Sequence, residues 1–318
     1  LKLVNIDQTI KLLKDGGVVA IPTETVYGLG GWIHSEVGLK NIFSTKERPF
    51  FDPLIVHIDS IQSAKKLVSE WTHVHEALAQ ACWPGPLTLI AKKNDLVHPL
   101  ITAGLDSVGL RCPRHELTLK LLSQIDGGIA APSANKFGKT SPTNSKHVDD
   151  EFKGQVAILE GGPSEVGIES TVAGVKIIGE EFLVEIYRPG FYTANDLLNI
   201  LKLKGIKAQV QYAESPVAPG QLKHHYMPKI PLVIVPTTFQ WETDRKKIED
   251  LLQHQFFSVI KWILPQEANM ASRELYQKLR EFDEKGHDLI LVSKQTHHNT
   301  EEWMGIWNRL SKAKTLQI

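Results

Sequence analysis

The chain lacks most of the features that would make its chemistry obvious at sight. Only two cysteines occur, Cys82 and Cys112, and there is no CxxC pair. That argues against a disulfide framework or a zinc ribbon, and it fits a reducing, cytoplasmic setting. No apolar run approaches the roughly 20 residues that a membrane-spanning helix needs. The N-terminal string LKLVNIDQTIKLLKDGG has no long apolar core, no small-residue cleavage site and no stop-transfer pattern, so a soluble protein is expected. Neither charge is in excess, since 36 Lys plus Arg balance 36 Asp plus Glu. A generally basic nucleic-acid binder is disfavoured, whereas a local basic stripe is not.

Several motifs are missing too. The histidine pairs His73/His75, His224/His225 and His297/His298 stand in no HExxH string or Cys/His cluster, and no protein metal site is expected. There is no GxSxG elbow for a serine hydrolase. Residues 135–140 end in Gly138-Lys139-Thr140 like the tail of a P-loop, but Ser133 stands where its first Gly should be.

What is present is ample material for ordinary cores, with 42% hydrophobic residues in 318. At about 150 residues per domain, that length predicts two domains. In the first, Ile6, Ile10 and Leu13 share one helical face ending at Gly16-Gly17. Strands are expected at 18–21, 54–58, 87–91, 108–111, 128–131 and 156–159, with helices at about 36–45, 60–69, 73–82, 116–124 and 145–151. Residues 170–188 read as paired strands around Gly179-Glu180, and Thr193 as the N-cap of a helix to about Lys204. Strands and helices do not alternate regularly, which predicts an α/β domain with a mixed sheet over 1–207. Prolines then crowd an extended connector at 208–230. Beyond it a βαβαβα order over 231–318 predicts a smaller Rossmann-like parallel domain, without a Gly-rich phosphate fingerprint.

Candidate chemistry lies where strands run out into polar turns: PTETVYGL at 22–29, STKERPFFDPL at 44–54, and APSAN at 131–135 with Gly138, Ser141, Pro142 and Thr143 beyond. Lys46 and Arg48, beside Pro49, suit a polyanion, because Arg grips phosphate oxygens bidentately and Lys acts as a mobile point charge. Ser133 and Asn135 add neutral donors. Taken alone, Lys-Glu-Arg would equally read as a solvated helix end.

Together with WPGPLTLI at 83–90, VGLRCP at 108–113, GIEST at 167–171 and YRPG at 187–190, these strings resemble the YrdC-type threonylcarbamoyl-AMP synthases. The likeness covers the first 190 residues, and the connector and second domain resemble that family's two-domain branch. The resemblance implies a twisted α/β sheet with a concave, positively lined cavity. It implies an enzyme making threonylcarbamoyl-AMP and pyrophosphate from L-threonine, bicarbonate or carbon dioxide, and ATP with Mg²⁺. Other proteins would transfer the product to tRNA beside the anticodon. Lys46, Arg48, Ser133 and Asn135 would be catalytic. Arg48, Asp52, Ser107, Ser133, Ser141, Arg188 and the connector's Tyr226 would hold ATP. Thr25, His57, Arg111, Ala131, Ser170 and Thr171 would hold threonine. Asp52 departs from the family's usual Asn, and His224 from a usual Arg. The rival readings are an RNA-binding module, which the near-equal acidic and basic content of the first 207 residues does not support, and another carbamoyl-chemistry enzyme with a related domain.

Overall fold

Local chemistry sets the first helix as its pattern requires. The Asn5 side chain accepts the Gln8 amide, Gln8 reaches back to the Asn5 amide, and Ile6–Lys14 follows with Leu13 buried against Ile6 and Ile10. The computed structural model describes residues 1–179, 181–214 and 225–318. They fall into two units, Leu1–Phe137 with Ser141–Gln221, and Gly138–Thr140 with Leu222–Ile318.

Among the described residues, the first unit holds an eleven-stranded mixed sheet. Its strands are β1 (Lys2–Val4), β2 (Val19–Ile21), β3 (Gly28–Trp32), β4 (Ile55–His57), β5 (Leu87–Lys92), β6 (Ser107–Arg111), β7 (Ile129–Ala130), β8 (Ala157–Leu159), β9 (Thr171–Ile178), β10 (Glu181–Arg188) and β11 (Ala208–Tyr212). Their order is β1-β8-β2-β3-β7-β4-β6-β5-β9-β10-β11. Parallel β4/β6 and β5/β9 pairs are mixed with antiparallel β3/β7, β7/β4 and β5/β6 pairs.

Three strands of this sheet fall outside those expected. β1 is a three-residue strand that pairs in parallel with β8. β3 is the glycine-rich GLGGW, a poor strand former by composition. Its glycines make room: a Cβ at Gly30 would lie 2.8 Å from Ile129 Cγ2, and one at Gly31 2.8 Å from Ile42 Cδ1. β11 falls within 208–230, the stretch expected as connector, and pairs in parallel with β10, its burial alternating along AQVQY. The rest of that stretch includes residues 215–224, which lie outside the described residues, as do Glu180 of the expected turn and His224. Thr193 caps Ala194–Leu203, as its side chain led one to expect.

The second unit carries β12 (Leu232–Val235), β13 (Val259–Trp262), β14 (Leu289–Ser293) and β15 (Leu316–Gln317), all parallel in the order β13-β14-β12-β15. Helices Trp241–Leu252, Ala268–Glu284 and Met304–Ala313 connect them. The expected helix from Thr300 opens as short 3₁₀ turns, and β15 adds a strand beyond the βαβαβα pattern. No helix among the described residues is long and apolar enough to cross a membrane.

Candidate active site

Backbone hydrogen bonds lace three polar loops of the first unit together. Leu29 N donates to Pro132 O at 2.7 Å and Ala134 N to Tyr27 O at 2.7 Å, while Gly28 and Ser133 form an antiparallel bridge. Tyr27 N donates to Pro142 O at 2.9 Å, Val166 N to Glu24 O at 2.7 Å, and Ser164 Oγ to Thr23 O at 2.9 Å. The PTETVYGL loop, the APSAN loop with Pro142 beyond it, and the stretch 164–166 just before GIEST therefore hold one another in place.

Lys46 closes the helix Glu36–Lys46 and is 1% exposed. Its ammonium donates to Ser133 O at 2.5 Å and also to Asn135 O, and Phe137 N returns a bond to Lys46 O at 2.8 Å. The KxR and SxN strings are thus one structure. Burial, and then the Arg48 charge, pull the Lys46 pKa well below the usual lysine value. An ammonium has three donors, and two are spent on these carbonyls. Glu47 caps the helix in the left-handed region (φ 54°), turning the chain toward Arg48. The buried Arg48 guanidinium lies 2.8 Å from Asp52 Oδ2, and its Nη2 donates to Pro53 O at 3.0 Å.

A second group gathers at the ends of β4 and β6, where the register sets His57 beside Arg111. Arg111 Nη1 donates to Thr25 Oγ1 at 2.9 Å and Nε to Gly85 O at 3.3 Å, while Nη2 stands 2.8 Å from Glu24 Oε2. His57 is buried, and its Nδ1 has no hydrogen-bond partner among the described residues. Burial, then the Arg111 charge, hold its pKa down at about 3, so the imidazole is neutral at neutral pH. Ala131 N donates to Ile55 O at 2.9 Å, which seats that residue beside β4.

A third group joins Ser170 to Arg188. Arg188 Nε donates to Ser170 O at 3.1 Å and Nη2 to Ser170 Oγ at 3.1 Å, and Thr88 Oγ1 lies 2.8 Å from the same hydroxyl. The Thr171 hydroxyl both donates to Tyr192 O and accepts from Tyr192 N, each at 2.9 Å. It is therefore engaged in holding the following turn. Ser141 Oγ donates to the Glu169 carboxylate at 2.5 Å. Ser107 is half-buried and lines a small pocket with Pro53, Ile55, Thr88, Ile90 and Val172.

Most of the expected residues of the first unit thus fall into three groups, while Ser107 only lines the small pocket beside Thr88. Tyr226 belongs to the second unit, where it is buried in the left-handed region (φ 64°), with its ring 5.7 Å from Tyr276 and 5.8 Å from the Arg309 guanidinium carbon. Two buried acids escaped the sequence reading, Glu24 and Glu169. A signal was available: each is the one charged residue in an otherwise uncharged string, PTETV and GIEST, and a charge in such a setting needs a partner once buried.

The chain is similar to known proteins along its length. Residues 11–190 match the family described as "Telomere recombination", and residues 192–315 match "Threonylcarbamoyl-AMP synthase, C-terminal domain". The threonylcarbamoyl-AMP synthase of Pyrococcus abyssi is 35% identical over 326 residues, covering 96% of this chain and 93% of its own. That of Bacillus subtilis is 35% identical over 334 residues, covering 97% and 92%. The crystal structure of P. abyssi Sua5 complexed with L-threonine matches with a TM-score of 0.82 at 33% identity, covering 99% of both chains.

Proposed function

This chain belongs to the two-domain threonylcarbamoyl-AMP synthase family, and from that membership we propose how its residues divide the work. The enzyme is a nucleotidyltransferase of the tRNA threonylcarbamoyladenosine pathway: it converts L-threonine, bicarbonate or carbon dioxide, and ATP into threonylcarbamoyl-AMP and pyrophosphate.

In our reading, threonine enters as the zwitterion and its ammonium gives a proton to bicarbonate, which yields carbon dioxide and water. The neutral amine then captures the carbon dioxide as a carbamate and releases one further proton to water. A carbamate oxygen then attacks the α-phosphorus of ATP, and the bond to pyrophosphate breaks. Little covalent work falls to the protein, so positioning and charge stabilisation dominate. Lys46 turns its remaining donor to phosphate, and Arg48 exchanges Asp52 for phosphate oxygens. Ser133 and Asn135 orient the phosphate or the carbamate, and Ser107, Ser141 and Arg188 hold the nucleotide. Arg111 takes the threonine carboxylate beside Thr25, Ser170 and the backbone at Ala131, while the neutral His57 accepts the substrate hydroxyl at Nδ1. Thr171 supports this pocket through its bonds to Tyr192. Among the described residues no group of three or more His, Cys, Asp or Glu is placed to hold a metal. Mg²⁺ would accompany the ATP phosphates and neutralise part of their charge. The unstable product passes to tRNA-modifying transfer proteins in the cytoplasm, with at most weak direct contact to tRNA.

The observation that carries this reading is the Lys46 ammonium seated on the Ser133 and Asn135 carbonyls, which makes one site of two distant motifs. The test is pyrophosphate release from ATP and bicarbonate with each candidate amino acid. Release that requires threonine supports it; release indifferent to the amino acid overturns it. Within that assay Arg48→Ala should cost about 3 kcal/mol of barrier, roughly a hundredfold in rate.

A further inference from the structure

We propose that Glu24 is a positioning residue for the amino-acid substrate: it fixes the Arg111 guanidinium and cancels its charge, so the pocket favours a zwitterion over a simple carboxylate. The inference rests on the reading above that Arg111 receives the threonine carboxylate.

Glu24 and Arg111 are 1% and 4% exposed, so water screens neither. Three sides of the guanidinium are held from two different segments: Nη1 by the Thr25 hydroxyl, Nε by Gly85 O, and Nη2 by Glu24 at 2.8 Å. The Glu24 carboxylate does no other visible work. Neither of its oxygens accepts a hydrogen bond of good geometry among the described residues, and its loop is secured by other atoms, Glu24 O from Val166 N and Thr23 O from Ser164 Oγ. A buried carboxylate so thinly bonded is costly to fold, which makes sense if its charge is what the site needs.

That charge decides what the pocket attracts. With His57 neutral, Arg111 and Glu24 sum to zero. A lone carboxylate entering beside Arg111 would leave one buried negative charge uncompensated, whereas an amino acid brings its own ammonium and leaves none. Without Glu24, Arg111 would keep only its bonds to Thr25 and Gly85 and would carry an uncompensated buried charge that any small anion could neutralise.

The test uses the full-length enzyme and pyrophosphate release, with KM measured separately for threonine and ATP. A second readout is competitive inhibition by 3-hydroxybutyrate, which is threonine without its amino group. For Glu24→Gln we expect the threonine KM to rise about tenfold with the ATP KM within about twofold, and 3-hydroxybutyrate to inhibit about tenfold more strongly than in the wild type. Glu24→Asp, which keeps the charge, should fall between the two. A threonine KM unchanged in Glu24→Gln, a parallel rise in both KM values, or unaltered inhibition by the analogue would each overturn the proposal. If Glu24→Gln does not fold, Glu24→Asp carries the test: a threonine-only KM rise supports it and none refutes it. Arg111→Lys separates the two layers. If it leaves the threonine KM unmoved, the parent reading fails; if it raises that KM while Glu24→Gln does not, only this inference fails.

Discussion

Acid should weaken the first unit through His57, and the size of the effect follows from its burial. The imidazole is enclosed beside Arg111 with its pKa depressed to about 3, against an ordinary value of about 6.5 when the chain unfolds. The unfolded chain therefore binds a proton below about pH 6.5 that the folded chain refuses. Stability from this residue is complete above that pH and is lost as pH falls toward 3. At about 1.4 kcal/mol per pH unit, the loss is roughly 2 kcal/mol at pH 5 and nearly 5 kcal/mol once both states are protonated. His75 and His298 are depressed as well, so a comparison with a variant is needed to isolate His57. His57→Asn removes the titration. Urea denaturation at pH 8 and pH 5, with the first unit followed by hydrogen exchange in β4 and β6, should show the variant losing about 2 kcal/mol less than the wild type between those pH values. Equal losses in the two proteins would refute the argument. So would an imidazole NMR titration of His57 with a midpoint near 6.

Three further outcomes are expected. Lys46→Met strands two interior carbonyls and removes a charge from the site, so it should cost about 3 kcal/mol in thermal stability and slow pyrophosphate release about a hundredfold or more; a stable, active variant would contradict the tether. Gly190→Ala would set a Cβ 2.4 Å from the Thr171 amide nitrogen. Because that neighbour is backbone, it should destabilise by about 2–3 kcal/mol in calorimetry, and an unchanged melting temperature would show that the turn can shift. Cys82 and Cys112 are buried, with both thiols pushed up to about 12. Neither should react with a thiol reagent at pH 8 until denaturant is added, and rapid labelling of the native protein would count against that burial.

Much of the scaffold was legible in the sequence because its signals are local. The Asn5–Gln8 capping box, the Thr193 cap and the single apolar face of the first helix each need only a few neighbouring residues. β3 was hidden because GLGGW gains its place from what packs on it, Ile42 and Ile129, and those partners come from elsewhere in the chain. β11 was hidden for a different reason: its alternation is short and half polar, next to a proline-rich stretch that resembles a connector. The site shows the same division. Residue types suited to phosphate and carboxylate could be seen in the motifs, and Lys46 with Ser133 and Asn135 did assemble. The counter-ions could not be paired, because which carboxylate meets Arg111 depends on the sheet order that brings the β2–β3 loop across to β6.

That pairing also bears on how substrates arrive. Arg48 and Arg111 each stand 2.8 Å from a carboxylate. Seen from solvent, each is a buried dipole, and its field fades well within the Debye length of about 8 Å at physiological ionic strength. ATP approaching the enzyme would feel little long-range pull from these two arginines, and its association rate should change only modestly as salt is raised from low to physiological levels. Discrimination then takes place after encounter, when the phosphates compete with Asp52 for Arg48. The enzyme would tell its nucleotide from other anions by the bonds it can exchange, and would gain little from drawing anions in faster.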